Sequence, residues 1–184
     1  MKIGLVYAMT GEIESLLTQE NAQPLQTVAG VPFYQIRPDV IACAGGVSKV
    51  NAAMATQLLI SLYQPDLVLN AGVAGCFENM PIGSIVLAEG FLQHDVDTST
   101  LGDPVGLVST GEPGAVPHQR SGPARAAMDR VGVPYRTGWV ATGDWFATDT
   151  PRAHWIADTF HPLPVRHGGL RRRPGVPAQQ RAVH

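Results

Sequence analysis

Cysteine, charged residues and long apolar runs are all scarce in this chain. Only two cysteines occur among 184 residues, so we expect two reduced thiols, the one at Cys43 buried, with no metal-binding spacing between them. Charged residues make up 15% of the chain and the net charge is −2, so nothing in the composition indicates binding to nucleic acid or to an anionic membrane. No segment approaches the roughly 20 apolar residues that a membrane-spanning helix needs. The short apolar run at the N-terminus meets acidic residues without a cleavage site, so we predict a cytoplasmic protein without a signal peptide.

Apolar residues, at 45% of the chain, are abundant enough for one domain with a sizeable core. Strand-like and helix-like segments alternate, which favours a mixed, mostly parallel sheet covered by helices. Thr10 is expected to cap the first helix and Ser48 the second, which Pro65 stops. Strands are predicted at 3–8, 25–28, 31–36, 40–44, 67–70, 84–88 and 137–142. The first helix is predicted at 10–19, two helices after the second at 123–130 and 150–159, and a loop at 100–117. The apolar residues at helical spacing in the second helix are Val50, Ala53, Met54, Leu58 and Leu62.

A glycine-punctuated segment, residues 66–75, is the most informative part of the chain. Its apolar first half predicts a buried strand, and Gly72 and Gly75 predict a turn where main-chain atoms approach a ligand closely. In α/β enzymes such a turn at the carboxyl end of a strand forms the floor of a pocket. Two other segments at strand ends, 9–12 and 142–146, are candidates for the same site.

The C-terminal end of the sequence differs in composition from the rest. Residues 159–184 contain five arginines and no acidic residue, and from His161 onward they show no apolar periodicity. A flexible basic tail, an arm that binds nucleic acid, and an out-of-frame translation are the three interpretations. We predict a domain at 1–160 followed by an irregular basic tail at 161–184.

Five motifs occur in order, and they are MKIGLVYAMTGE at 1–12, GGVSKVNAA at 45–53, QPD and NAGVAG within 64–75, HDVD at 94–97 and TGDWF at 142–146. Together they resemble motifs of bacterial 5′-methylthioadenosine/S-adenosylhomocysteine nucleosidases, a family of the purine nucleoside phosphorylase superfamily. The resemblance covers about residues 1–160. Five ordered motifs at compatible spacing are far more specific than any one of them.

The resemblance implies a fold and a reaction. The fold is an α/β three-layer sandwich, a twisted, mostly parallel sheet flanked by helices, which forms a homodimer in the intact family. The reaction is hydrolysis of the N-glycosidic bond of an adenine nucleoside to adenine and a thioribose product. The resemblance implies a small-molecule adenine nucleoside as the binding partner, and no metal or organic cofactor.

Glu12 matches the glutamate with which the family activates water. Without the resemblance, a carboxylate in the first turn of a helix is sufficiently explained by the helix dipole, worth at most about 1 kcal/mol. With it, we favour the role of general base. The same carboxylate favours a hydrolase over a phosphorylase, because it would repel a phosphate ion at the position of the water.

Phe146 matches the aromatic residue that stacks on the purine, and Ala147 is implied to recognise adenine through its backbone groups. Core packing is the simpler explanation for Phe146 and for its neighbour Trp145, and for Trp145 we prefer it. Asp144 is expected to bond turn amides. His94 is expected to order a loop, since it has no partner at metal-ligand spacing.

The sugar side of the implied site is apolar. Met9 and Val47 match positions around the sugar and its 5′ substituent, although from sequence alone each is equally a core residue. Ala74 and Gly75 fit a backbone contact to the ligand. Val73 replaces a serine that is frequent in the family and helps to hold the water, which weakens the match at that position.

Two family motifs are missing from this sequence. The resemblance implies a Met-Glu motif after the helix at 150–159, whose glutamate holds the ribose hydroxyls, and a later Ser-Asp motif, whose aspartate delivers the proton to the purine. The last acidic residue here is Asp158. Family pattern and acidic residues disappear together where arginine, proline and glycine become frequent, so we favour an out-of-frame tail and expect little or no hydrolysis by this chain.

Three alternatives stay open at this point. A related hydrolase could act on another purine nucleoside such as futalosine. The chain could be a non-catalytic remnant. It could also be a binding module whose basic tail contacts nucleic acid, but that tail lacks aromatic residues to stack on bases.

Overall fold

The computed structural model describes residues 1–76, 80–106, 122–146, 151–162, 164–165 and 180–183. The chain divides into two compact units, Met1–Gly72 and Val73–His184, which are described separately. In chain order the elements are β1 (Ile3–Tyr7), α1 (Thr10–Gln19), β2 (Gln23–Val28), β3 (Val31–Arg37), β4 (Val40–Ala44), α2 (Lys49–Tyr63), β5 (Leu67–Cys76), β6 (Ile85–Gln93), a 3₁₀ turn (Ser99–Leu101), α3 (Gly122–Val131), β7 (Tyr135–Thr142), α4 (Pro151–Phe160), β8 (Pro164–Val165) and β9 (Gln180–Val183).

The sheet of the first unit has the strand order β2-β3-β4-β1-β5. β1 is its central parallel strand and pairs with β4 on one side and with the first residues of β5 on the other. β2 and β3 form an antiparallel hairpin, as predicted, in which Val28 pairs with Val31. Ala29 and Gly30 both have positive φ angles, 49° and 79°, as in the tight hairpin turns that match the twist of the strands.

Helices cover both faces of this first sheet. Alternate residues of a strand point to opposite faces, and in β1 Val6 packs with Leu59 of α2 whereas Leu5 and Tyr7 pack with Ile13 of α1. Cys43 is buried on the α2 side, as predicted, and its burial raises the pKa of the thiol to about 11. The first unit is therefore a helix–sheet–helix arrangement with a core on each side.

The sheet of the second unit has the order β5-β8-β7-β6-β9. β6 and β7 pair in parallel over their whole lengths, and β8 and β9 extend the parallel set on either side. The end of β5 is antiparallel to β8. α4 packs on this sheet through Ile156, which contacts Leu92 of β6 and Ala141 of β7.

The predicted fold class, a mixed α/β fold with a sheet flanked by helices, is confirmed. Two local predictions were wrong. Residues 66–75 do not turn at the glycines, because β5 continues to Cys76 and pairs Gly75 with Val165. The first helix is capped by Met9 rather than by Thr10, which is its first residue. Of the apolar residues at helical spacing in α2, Met54 and Leu58 pack against the cluster that contains the buried Ala55 and Leu59, whereas Val50 is 74% exposed.

Much of the predicted basic tail at 161–184 lies outside the described residues. Within it the structure places the two short strands β8 and β9. The proposal that this segment is out of frame stays a prediction. In the part of the chain that the structure describes, no helix is long and apolar enough to cross a membrane.

Candidate active site

In the first unit, the loops that follow β1 and β4 meet at one edge of the sheet. The two strands are parallel, so their carboxyl ends lie side by side. Gly45 donates its backbone N–H to the carbonyl oxygen of Tyr7 at 2.8 Å, and Gly46 donates to that of Ala8 at 2.9 Å. These bonds tie the loop that carries Met9 to the loop that carries Val47, so two predicted residues lie at the same edge.

Glu12 is held at this edge by the backbone. Its Oε2 atom accepts N–H bonds from Ala8 at 3.1 Å and from Met9 at 3.0 Å. The bond from Met9 satisfies the N-cap residue of α1, as the glutamate of a capping box does. The helix-start explanation for Glu12 is therefore correct as geometry. The same bonds fix the carboxylate at the strand edge, which a general base also requires.

The charge of Glu12 acts on its surroundings. The pKa of the Tyr7 phenol is raised above its usual value, mainly by burial and further by the Glu12 carboxylate. A negative charge that opposes ionisation of a neighbouring phenol would also oppose a bound phosphate ion. This electrostatic effect agrees with the preference for water over phosphate that was inferred from the sequence.

The loop with Val47 is stabilised by a residue that the sequence analysis missed. Asn51 donates its side-chain Nδ2–H to the carbonyl oxygen of Val47 at 2.7 Å, and its backbone N–H to Oγ of Ser48 at 3.2 Å. The second bond confirms Ser48 as the cap of α2. Met9 and Val47 are 46% and 47% exposed, so neither is a core residue. Both present apolar surface at the edge where Glu12 is held.

In the second unit, Val73, Ala74 and Gly75 lie within β5. Ala74 is buried, whereas its two neighbours are half-buried. Gly75 pairs with Val165 of β8, and the same valine pairs with Ala141 of β7. Two strand spacings, about 10 Å, therefore separate the backbone of Gly75 from that of Ala141.

The turn after β7 carries the predicted stacking residue. Trp145 packs on the cluster of Leu92 and Ile156, so the core-packing explanation for this tryptophan is confirmed. Phe146 is 60% exposed, which excludes core packing for it. The Asp144 N–H donates to a carboxylate oxygen of Asp95 at 2.9 Å, a contact that was not predicted. Ala147 lies outside the described residues.

No group of three or more His, Cys, Asp or Glu side chains is placed to hold a metal ion within the described ranges. His94 is buried, and its ring meets that of Trp145 edge to face at 6.3 Å between centroids. That contact agrees with its expected role in ordering a loop. The first unit thus gathers Met9, Glu12 and Val47, and the second carries the β5 residues and Phe146.

Comparison with known proteins gives consistent matches along the chain. A model of the phosphorylase superfamily matches residues 2–163. The 5′-methylthioadenosine/S-adenosylhomocysteine nucleosidase of Shewanella loihica is 34% identical over 166 residues, which make up 87% of this chain and 72% of the relative.

Solved structures show the same relationship. The S-adenosylhomocysteine nucleosidase of Streptococcus pyogenes, in complex with 5-methylthiotubericidin, matches with a TM-score of 0.78 and 28% identity over 92% of this chain and 74% of that one. The futalosine hydrolase of Helicobacter pylori matches with a TM-score of 0.80 over 100% of this chain and 83% of that one. At 22% identity, the second likeness shows the fold alone.

Proposed function

The chain belongs to the phosphorylase superfamily and, within it, to the 5′-methylthioadenosine/S-adenosylhomocysteine nucleosidases, and from that premise we propose that it binds such a nucleoside and directs water to its N-glycosidic bond. One observation carries the proposal. The Glu12 carboxylate is fixed by two backbone N–H groups at a strand edge, beside the exposed apolar side chains of Met9 and Val47.

In the proposed reaction, Glu12 accepts a proton from water as the oxygen bonds to the anomeric carbon of the sugar. The C–N bond breaks, and its electron pair leaves with the purine, which must gain a proton. Met9 and Val47 offer apolar surface to the sugar and its thioether. Phe146 stacks on the purine ring, and Val73, Ala74, Gly75 and Ala147 complete the proposed substrate-binding set.

Residues 159–184 contain no acidic residue, so no carboxylate there can hold the ribose hydroxyls or protonate the leaving purine. Loss of a positioned acid typically lowers the rate about 10²–10⁴-fold. We therefore expect nucleoside binding with slow hydrolysis.

Calorimetric titration of the full chain with 5′-methylthioadenosine tests the binding. Phe146→Ala is expected to weaken the affinity at least about fivefold, because base stacking on an aromatic side chain is worth about 1–3 kcal/mol. Val131→Ala removes another exposed apolar side chain, at the end of α3, and serves as the control, with unchanged affinity expected. Absence of binding, or equal affinities of the wild type and Phe146→Ala, would contradict the proposal.

Substrate choice is tested by base release. Futalosine hydrolase shares the fold, but an identity of 22% does not indicate a shared substrate. Incubation with 5′-methylthioadenosine, S-adenosylhomocysteine and futalosine in parallel distinguishes the candidates. We expect release from the first two only, and faster release from futalosine would favour the alternative.

The homodimer and the cytoplasmic location are also proposals. α2 exposes the large apolar side chains of Val50 and Ile60, which supports burial of this helix against a second copy. Analytical ultracentrifugation of the full chain is expected to give a dimer, and a monomer at high micromolar concentration would contradict it. Fractionation of producing cells tests the location.

A further inference from the structure

The turn that carries Phe146 is joined to the end of β6 by two hydrogen bonds. His94 donates its backbone N–H to the carbonyl oxygen of Thr142 at 3.0 Å. Asp144 donates its backbone N–H to Oδ2 of Asp95 at 2.9 Å, across 49 residues of sequence. A bond to a carboxylate is shorter and roughly twice as strong as one between neutral groups. Asp95 therefore holds the turn at Asp144, two residues before Phe146.

The turn also packs directly on the residues that follow β6. A Cβ atom added to Gly143 would lie 2.6 Å from Nε2 of His94 and 3.0 Å from Cγ of Asp95. One residue further on, Trp145 packs its ring against His94 and under the guanidinium group of Arg152, which lies 4.8 Å from the ring centroid. The inner side of the turn is thus fixed, whereas the ring of Phe146 is exposed.

We propose that Asp95 is a positioning residue that sets where the Phe146 ring meets the purine, acting through the N–H group of Asp144. The inference rests on the proposed function, in which Phe146 stacks on the base. Stacking depends on the offset and tilt of the two rings, and a small displacement of a binding group weakens recognition strongly. The carboxylate of Asp95 limits that displacement without touching the substrate.

The test uses the full chain and three substitutions. Asp95→Ala removes the acceptor, and Asp95→Asn keeps an acceptor oxygen without the charge. Asp97→Ala is the matched control, because the Asp97 carboxylate binds the N–H and hydroxyl groups of Ser99, two residues further along. The readouts are the affinity for 5′-methylthioadenosine and the NMR signals of the Phe146 ring, identified by their absence in Phe146→Ala.

Asp95→Ala is expected to shift the ring signals and to weaken binding about tenfold, the effect of losing one charge-assisted hydrogen bond. Asp95→Asn keeps a neutral acceptor of about half the strength and should weaken binding only about threefold. Asp97→Ala should leave both readouts unchanged. In the Phe146→Ala background, Asp95→Ala should weaken binding no further, because its effect passes through the ring. A merely structural role would lower the affinity in both backgrounds.

Wild-type affinity and wild-type ring signals in Asp95→Ala would overturn the inference, as would an equal loss in the two backgrounds. Equal binding by the wild type and Phe146→Ala would instead contradict the proposed function. The ring signals need no ligand, so in that case they still decide whether Asp95 holds Phe146 in place.

Discussion

Ser48, the residue between Val47 and α2, combines a strained backbone with a useful side chain. Its φ and ψ angles, 119° and 159°, lie in a region that is essentially restricted to glycine and that costs other residues of order 1–3 kcal/mol. Its hydroxyl accepts the N–H bond of Asn51 at 3.2 Å, and such a cap contributes about 1 kcal/mol. Substitutions that separate these two effects should change stability in opposite directions.

Ser48→Gly relieves about 2 kcal/mol of strain. The lost cap costs a few tenths of a kcal/mol with glycine at this position, and the freer unfolded chain costs about 0.4–1 kcal/mol. The net result is a free energy of unfolding that rises by about 1 kcal/mol. Ser48→Ala keeps the strain and loses the cap, so its free energy of unfolding should fall by about 1 kcal/mol.

Urea unfolding at 25 °C, followed by circular dichroism, measures both variants against the wild type. The expected order of stability is glycine, serine, alanine, with about 2 kcal/mol between the extremes. If Ser48→Gly is no more stable than Ser48→Ala, the strain argument is refuted. If both lie below the wild type by the same amount, the cap alone accounts for the position.

Three further predictions concern groups that are held in place. The folded-state pKa of Cys43 is raised from 9.0 to about 11, so its stabilising effect is complete below pH 9 and lost between pH 9 and 11. Over that range the wild type should lose about 3 kcal/mol more of its free energy of unfolding than Cys43→Ala, as pH-dependent urea unfolding can show. Gly143→Ala should lower the free energy of unfolding by about 1–3 kcal/mol, because the new Cβ meets the side chain of His94. In Gly122→Ala the new Cβ meets no atom within 4 Å, so thermal unfolding should show no loss of stability. Glu12→Ala should lower the free energy of unfolding by about 1–2 kcal/mol through the lost helix cap, and Glu12→Gln by about half as much. If both variants were as stable as the wild type, the cap bonds would contribute nothing to stability.

Most elements of the fold could be predicted from the sequence because their signals are local. The turn at Ala29–Gly30 and the cap at Ser48 depend on neighbouring residues, and both occur where they were predicted. The end of β5 could not be predicted in this way. Gly72 and Gly75 favour a turn by themselves, but pairing with β8 keeps the chain extended.

Some residues of the candidate site could be predicted from local sequence signals, and others could not. Glu12 could be identified because helix starts favour carboxylates and because the first motif resembles that of a known family. Asp95 was missed because its partner, Asp144, lies 49 residues away in sequence. Asn51 was missed because its amide binds the carbonyl oxygen of the residue four positions earlier, a contact that no helix pattern indicates.

The apolar spacing in α2 identified only part of its buried side. Val50 and Leu62 fit an apolar stripe by their spacing but are exposed. Met54 and Leu58, from the same stripe, pack against the cluster that contains the buried Ala55 and Leu59. Periodicity indicates that a helix has an apolar side without showing which of several overlapping stripes the sheet covers. Only the packing of α2 against β1 decides between them.

Release of adenine from 5′-methylthioadenosine by an excess of the 184-residue chain, followed by chromatography beside the Shewanella loihica nucleosidase, tests the proposed role of Glu12. We propose that Glu12 activates water for hydrolysis of the N-glycosidic bond. Because residues 159–184 contain no acidic residue that could protonate the purine, we expect release about 10²–10⁴-fold slower than that of the relative, and a further fall of about 10²–10⁴-fold for Glu12→Gln. Release as fast as that of the relative, or an unchanged rate for Glu12→Gln, would contradict it.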